Sequence, residues 1–268
     1  MVSVKAVYCS FRLPLFSSKV PAAYQIAVSS PLPLSSTLIG ALARAVARIE
    51  QRCSGKTPDE AAKRCMEFLL RGLLEATSRL VGVNSVAGTK GTVILKRQRV
   101  LEGIKTIDPL RRSDALRREY VFSIEVQAIY LFQDDGLAKL ALKAIPLIDR
   151  LGDTESLASP IMWGISDVKV VQDNAVDTIV RASLLKSVLS GSYSVIQAYL
   201  TPVLRNWPAK PKADLFLIPV SASTKMEGFT VLEPSTLEVA LAEDALLIKT
   251  NTPMGPAKLV TPSEPRWV

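Results

Sequence analysis

YVFSIEVQAIYLF (Tyr120–Phe132) is the clearest strand in the chain. Phe122, Ile124, Val126, Ala128, Tyr130 and Phe132 share one face, while Ser123, Glu125 and Gln127 share the other, the period-two pattern of a strand laid on a core. Downstream, Asp134 and Asp135 open a helix predicted to run to Arg150, with Leu137, Leu140, Ala141, Ala144 and Ile148 inward. Pro146 should kink that helix, Gly152 should end it, and Ile161 to Val171 reads as another strand. Upstream, Val83 to Val100 turns β around GTVILKRQRV. Between the two strands lies LEGIKTIDPLRRSDALRRE, with turn residues, many arginines and no clean period.

The opening segment, Val2 to Phe11, is rich in β-branched and aromatic residues and predicts a strand buried on both faces. A loop punctuated by Pro14, Pro21, Pro31 and Pro33 follows, carrying Arg12, Lys19 and Tyr24. Irregular segments of about twenty residues are uncommon in compact domains and tend to be functional. Ser35 or Ser36 caps a helix to about Arg52, with Leu38, Ile39, Leu42, Val46 and Ile49 on the core stripe and Arg44, Arg48 and Arg52 opposite, without acidic partners in register. Thr57, Pro58, Asp59 and Glu60 start a second helix predicted to reach Leu80, its outer face carrying Arg64, Glu67, Arg71 and Glu75.

The resulting βαββαβ order predicts an α+β, ferredoxin-like domain over 1–174, with one extra helix and a long basic insertion between the second and third strands. Beyond 175, runs such as Leu215–Val220, Thr230–Leu232 and Leu246–Lys249 predict a smaller β-rich C-terminal part over 175–268, with Val176–Leu189 a possible helix and the tail TPSEPRWV loosely ordered.

At 268 residues the chain can bury a core without disulfide or metal staples. Its net charge of +8 favours a polyanionic partner. The absence of histidine removes the commonest general base and every Ser-His or Cys-His pair. Cys9, Cys53 and Cys65 are odd in number and lack CxxC spacing, so each reads as a small buried apolar residue in a reducing compartment. No metal site and no cofactor is expected. The N-terminus lacks the layout of a secretory signal, and no run approaches the roughly 20 apolar residues that span a bilayer, so a cytoplasmic protein is expected. A mean hydropathy of +0.23 with 48% apolar residues is high for a basic protein and suggests apolar surface covered by other subunits as well as core.

The insertion is the densest signal. Lys90, Lys96, Arg97, Arg99, Lys105, Arg111, Arg112, Arg117 and Arg118 face only Glu102, Asp108 and Asp114, a surplus of six charges. Guanidinium forks suit phosphate, so a basic arm gripping a nucleic-acid backbone is expected, against the plainer reading of a solvated loop. Aromatics are only 6% of the chain and those of the best strand lie on its core face, which disfavours a base-stacking platform. Gly88-Thr89-Lys90-Gly91-Thr92 lacks the spacing of a phosphate-binding P-loop and reads as a β-turn, and Asp134–Asp135 reads as a helix cap.

PLPLSSTLIGALARAV (Pro31–Val46) resembles the CRISPR-associated "Cas five" family, the RAMP-superfamily subunit of type I Cascade effectors. Phe11-Arg12, Arg118-Glu119-Tyr120 and Gly152-Asp153-Thr154-Glu155-Ser156-Leu157 support the likeness, which covers roughly 1 to 170 and looks most like the archaeal type I-A branch. The resemblance implies a ferredoxin-like (RRM/RAMP) palm with a β-hairpin thumb at about 96–118. It also implies a subunit that caps the 5′ handle of CRISPR RNA against the backbone (Cas seven-type) and large subunits. One branch of the family cleaves precursor RNA with a histidine beside tyrosine and lysine, and this chain has no histidine.

The expected function is therefore a non-catalytic RNA-binding subunit, with Arg12, Lys19, Arg44, Arg48, Lys96, Arg97, Arg99, Lys105, Arg111, Arg112, Arg117 and Arg118 on the RNA. The rivals are a metal-independent endoribonuclease and an RNA-independent scaffold.

Overall fold

A computed structural model describes residues 4–20, 28–55, 57–81, 88–98, 113–153, 155–204, 207–226, 229–265 and 267; at 58, 59, 93–98, 113–117, 123, 225 and 226 it describes the backbone only. The fold is mixed, with three α-helices and mostly antiparallel sheets among the described residues. No helix among them is long and apolar enough to cross a membrane.

The strand read at 120–132 is the inner part of β4 (Ser113–Phe132). Ile124, Val126, Ala128, Tyr130 and Phe132 are fully buried on one face, as their alternation requires, and the Tyr130 hydroxyl donates to the Leu38 carbonyl at 3.2 Å. The opposite face is not the polar surface the alternation suggests. Gln127, Ile129 and Leu131 are fully buried too, because a second layer covers them. Three strands pair with β4, all antiparallel. β1 (Lys5–Phe16) runs along one edge and β5 (Ser159–Val170) lies beyond it. On the other edge β2 (Leu73–Leu80) pairs with the inner half and β3 (Gly88–Gln98) with the outer half. The segment Gly88–Thr92 is thus strand and not the turn expected of it. A Cβ at Gly88 would stand 2.0 Å from Ile124 Cγ2, so close packing against β4 explains the glycine.

The helices α1 (Ser35–Val46), α2 (Pro58–Leu70) and α3 (Asp135–Ala144) cover the face bearing Tyr130. α1 buries Leu38, Ile39, Leu42 and Val46 as predicted, but it stops six residues before Arg52, and Ile49 is exposed. Glu50 is extended and its carboxylate accepts the Arg52 N–H, which starts a separate short turn, Gln51–Cys53. The serine cap is also absent: Leu34 is the N-cap, without a side-chain bond. α2 is capped by Thr57, whose Oγ1 accepts the Glu60 N–H at 3.2 Å, with Pro58 in the first turn, as the sequence predicts. It ends at Leu70 instead of Leu80. A side chain at Gly72 would collide with Leu137, and the Gly72 carbonyl accepts the Gln133 N–H, so the chain there turns into β2 beside the end of β4. Asp134 caps α3 by accepting the Leu137 N–H at 2.6 Å. Pro146 terminates α3 in a tight turn, Ile145–Leu147, and does not kink a longer helix; Gly152, at φ 101°, turns the loop beyond it.

The C-terminal strands cross the division at residue 174. β11 (Val220–Met226) and β12 (Phe229–Pro234) add to β3, while β14 (Ala245–Thr250) and β15 (Ala257–Pro262) add to β5. One sheet therefore runs β11-β12-β3-β4-β1-β5-β14-β15, with β2 beside β4. Two small sheets complete the chain: β6 (Ala175–Val176), β13 (Leu237–Leu241) and β8 (Leu185–Ser190), then β7 (Val180–Arg181), β10 (Ala213–Ile218) and β9 (Ser194–Tyr199). Val176–Leu189 is accordingly strand and tight turn, not helix. The tail is anchored as well: Trp267 is buried, donates to the Leu73 carbonyl at 2.6 Å and stacks on Arg181.

What joins the two halves is the polar side of β2. Glu75, predicted to be solvated, is buried on Arg181 at 2.7 Å, and burial pushes its carboxyl up against the pull of that guanidinium. Thr77 donates to the Ile179 carbonyl. Arg79 donates to Gln127, to Asp177 and to the carbonyls of Pro256 and Gly255 at the tip of the β14–β15 hairpin. Removing one partner of such a buried network costs about 3–5 kcal/mol, because the remaining groups stay desolvated. Arg79→Ala should lower unfolding free energy by about 3 kcal/mol or more in denaturant melts, whereas Arg64→Ala on the exposed face of α2 should cost under about 1 kcal/mol.

Candidate nucleic-acid interface

An open cleft of about 650 Å³ lies where the loop after β1, the first turns of α1 and the loop after α3 meet. Ser18, Lys19, Ser36, Thr37, Arg44, Arg150 and Asp153 supply its polar lining. The first helical bond of α1 runs from the Leu38 N–H to Leu34, and no side chain caps the helix, so the N–H groups of its first turn have no partner among the described residues. Such a helix start carries a partial positive charge and suits an anion. Gly40 keeps this wall narrow: a Cβ there would lie 3.3 Å from Pro202 Cγ on the facing loop.

The cations around the cleft fall into two groups. Lys19 and Arg150 make no ion pair among the described residues. Arg44 and Arg48, expected to lack partners, both reach Asp149, and Arg48 also donates to the Leu147 carbonyl at 3.0 Å. Partial desolvation would raise the Asp149 carboxyl, but the Arg48 hydrogen bond and the two guanidinium charges outweigh it and hold the group below its usual range. Arg52 pairs with Glu50 and lies over the Phe68 ring at 4.6 Å, facing away from this cleft.

Arg118 sits at the inner base of the basic arm, paired with Asp153 and Glu155 and over the Tyr120 ring. Lys90 pairs with Glu119 at 2.8 Å, and Glu119 also accepts the Ser29 N–H. Two of the arm's nine cations are thus neutralised at its base. Beyond them β3 and β4 remain paired out to Gln98 and Ser113, which places the backbones of Lys96, Arg97 and Arg117 in a two-stranded ribbon. Arg99, Lys105, Arg111 and Arg112 lie outside the described residues. Arg12 points to the other face of the sheet, since Phe11 and Leu13 enter the helical core, and it pairs with Glu125 at 2.9 Å.

The structure therefore gathers Lys19, Arg44, Arg48 and Arg118 near one cleft and leaves Arg12 apart. Sequence reasoning missed Arg150 and the bare helix start. Arg150 was read as the end of a helix, and nothing in its neighbours marked it as a site residue.

Two curated relatives carry the name CRISPR-associated protein Cas5. That of Methanocaldococcus jannaschii is 36% identical over 169 residues, 62% of this chain and 66% of its own length. That of Thermoproteus tenax is 32% identical over 155 residues, 56% of this chain and 62% of its own. The matches thus span just under two thirds of those proteins. A crystal structure of a CRISPR protein from Archaeoglobus fulgidus superposes with a TM-score of 0.56 over 96% of this chain and 99% of that one; at 18% identity the likeness is one of fold. No protein-family profile matches the chain. By sequence, the chain is a homologue of the CRISPR-associated Cas5 proteins.

Proposed function

We propose that the chain is a non-catalytic RNA-binding subunit of a type I CRISPR effector complex and holds the 5′ handle of a CRISPR RNA in the α1 cleft. The observation that carries this reading is the convergence of Lys19 and Arg150, unpaired among the described residues, on a helix start without a side-chain cap. Both features recognise phosphate without reading bases. In this reading the βαββαβ core within 1–174 is a ferredoxin-like palm. The strand order β5-β1-β4 with β2 and β3 at the far edge supports it. The β3–β4 ribbon is the base of a thumb whose tip, through Arg99, Lys105, Arg111 and Arg112, closes over the RNA backbone. Residues 175–268 form the smaller β-rich part, and the backbone and large subunits cover apolar surface in the cytoplasm. Exposed Ile161, Trp163 and Ile165 along β5 are the kind of surface such neighbours would bury.

Binding of a repeat-derived 5′ handle RNA, followed across a salt series, tests the assignment. Lys19→Ala with Arg150→Ala should weaken binding at least tenfold at low salt. Alanine at Arg97, Arg99, Arg111 and Arg112 together should flatten the log K against log salt slope by up to about 3, since each single-strand phosphate contact contributes about 0.7. An unchanged slope would refute the thumb, and cleavage products appearing in EDTA would refute the non-catalytic reading.

Asp149 adds a pH test. Its carboxyl is held below the ordinary 3.8, so its pairing with Arg44 and Arg48 is intact above that value and is lost only as pH falls through the depressed pKa. Wild-type affinity should show no Asp149-linked rise between pH 5 and 8. Asp149→Asn should tighten RNA binding about two- to tenfold across that window by freeing both guanidiniums.

A further inference from the structure

We propose that Cys53 and Cys65, both free thiols in the structure, close into an intramolecular disulfide under oxidising conditions and so fasten the turn after α1 to the middle of α2. The two Sγ atoms stand 2.6 Å apart, closer than separate sulfur atoms ordinarily approach, and both side chains are buried. The Cys65 sulfur also touches the Ala43 carbonyl at 3.1 Å, so it is seated between the two helices and is not on a free rotamer. Independent contacts hold the same loop in the same place. Arg64 of α2 donates to the Ser54 carbonyl at 2.8 Å, and Arg52 lies over the Phe68 ring. A bond between the sulfurs therefore asks for little movement of a backbone already pinned on both sides of Cys53. Cys9, buried in β1, directs its sulfur to the Ser10 carbonyl at 3.6 Å and has no sulfur partner among the described residues, so it serves as an internal control.

The oxidant is a small-molecule disulfide, acting by exchange. The Cys53 thiolate attacks one sulfur of that disulfide, forming a mixed disulfide and expelling one thiolate. The Cys65 thiolate then attacks the Cys53 sulfur, closing the protein disulfide and expelling the second. The two protons from the cysteines end on the two released thiols, so two protein thiols are oxidised while one disulfide is reduced. In the folded chain burial pushes both thiols up and disfavours their thiolates, so the exchange is tested on the refolding chain.

The test is to refold the full chain in a glutathione buffer of reduced and oxidised forms. The reaction is quenched with N-ethylmaleimide in denaturant, and intact and peptide masses are read. The expected result is one maleimide, on Cys9, with a crosslinked peptide pair containing Cys53 and Cys65. Three maleimides, or glutathione retained on either cysteine, would overturn the proposal. In thermal melts, reductant should lower the Tm of the oxidised chain by about 5 °C or more, the scale expected for opening a short closed loop. That shift should persist in Cys9→Ala and vanish in Cys53→Ala and Cys65→Ala. A shift retained in either of the last two would overturn the pairing even if both variants fold.

Discussion

A buried guanidinium on the second strand ties the C-terminal layer to the back of the central sheet. Arg79 is 7% exposed and spends its donors on Gln127, Asp177 and the carbonyls of a hairpin tip more than 170 positions later in the chain. Hydrogen bonds from a buried cation are worth most when every lone pair around it is satisfied and cost most when one is removed. Glu75, Thr77 and Arg79 alternate along β2, so they form a single polar seam, and the residues they bind, 177 to 181 and 254 to 256, carry the C-terminal strands across the back of the sheet. That layer is what buries Ile129 and Leu131 on the second face of β4 and makes the central strand inaccessible from both sides.

Fixing the sheet in this way also fixes the cleft. With its back covered, the sheet offers its helical face and its ends to a ligand, and the start of α1 meets the loops after β1 and α3 at one such end. The basic surplus is not spread evenly over that region. Arg44, Arg48, Lys90 and Arg118 are tied to Asp149, Glu119, Asp153 and Glu155, which orients them and lowers the local field, while Lys19 and Arg150 make no ion pair among the described residues. A polyanion arriving there meets Lys19, Arg150 and a helix start first, with the paired arginines available to exchange partners, a graded arrangement suited to phosphate recognition independent of sequence.

Much of this was legible in the amino-acid order and some was not. The alternation of Ile124 to Phe132 identified the central strand, and Thr57-Pro58 and Asp134 marked two helix starts correctly, because caps and alternation are local physics. The stretch 73–80 was misread as helix because its polar residues look like a solvated helix face when their partners lie a hundred residues away. The arginines of α1 looked unpaired for the same reason: Asp149 is adjacent only after folding. Within the cleft, Lys19 and Arg44 were visible as basic residues in suggestive places, but Arg150 was not, since an isolated arginine at a helix end has no distinguishing pattern.

The sequence by itself determined the alternating strands, the capped helix starts, the concentration of positive charge between Lys90 and Arg118 and the family likeness of Pro31–Val46, all properties of neighbours along the chain. Only the tertiary structure decided that α2 yields to a strand at Gly72 and α3 to a tight turn at Pro146, which charges are neutralised, and that the C-terminal strands extend the N-terminal sheet. These depend on burial and on partners distant in sequence, and both exist only once the polar seam of β2 has closed on the residues that satisfy it.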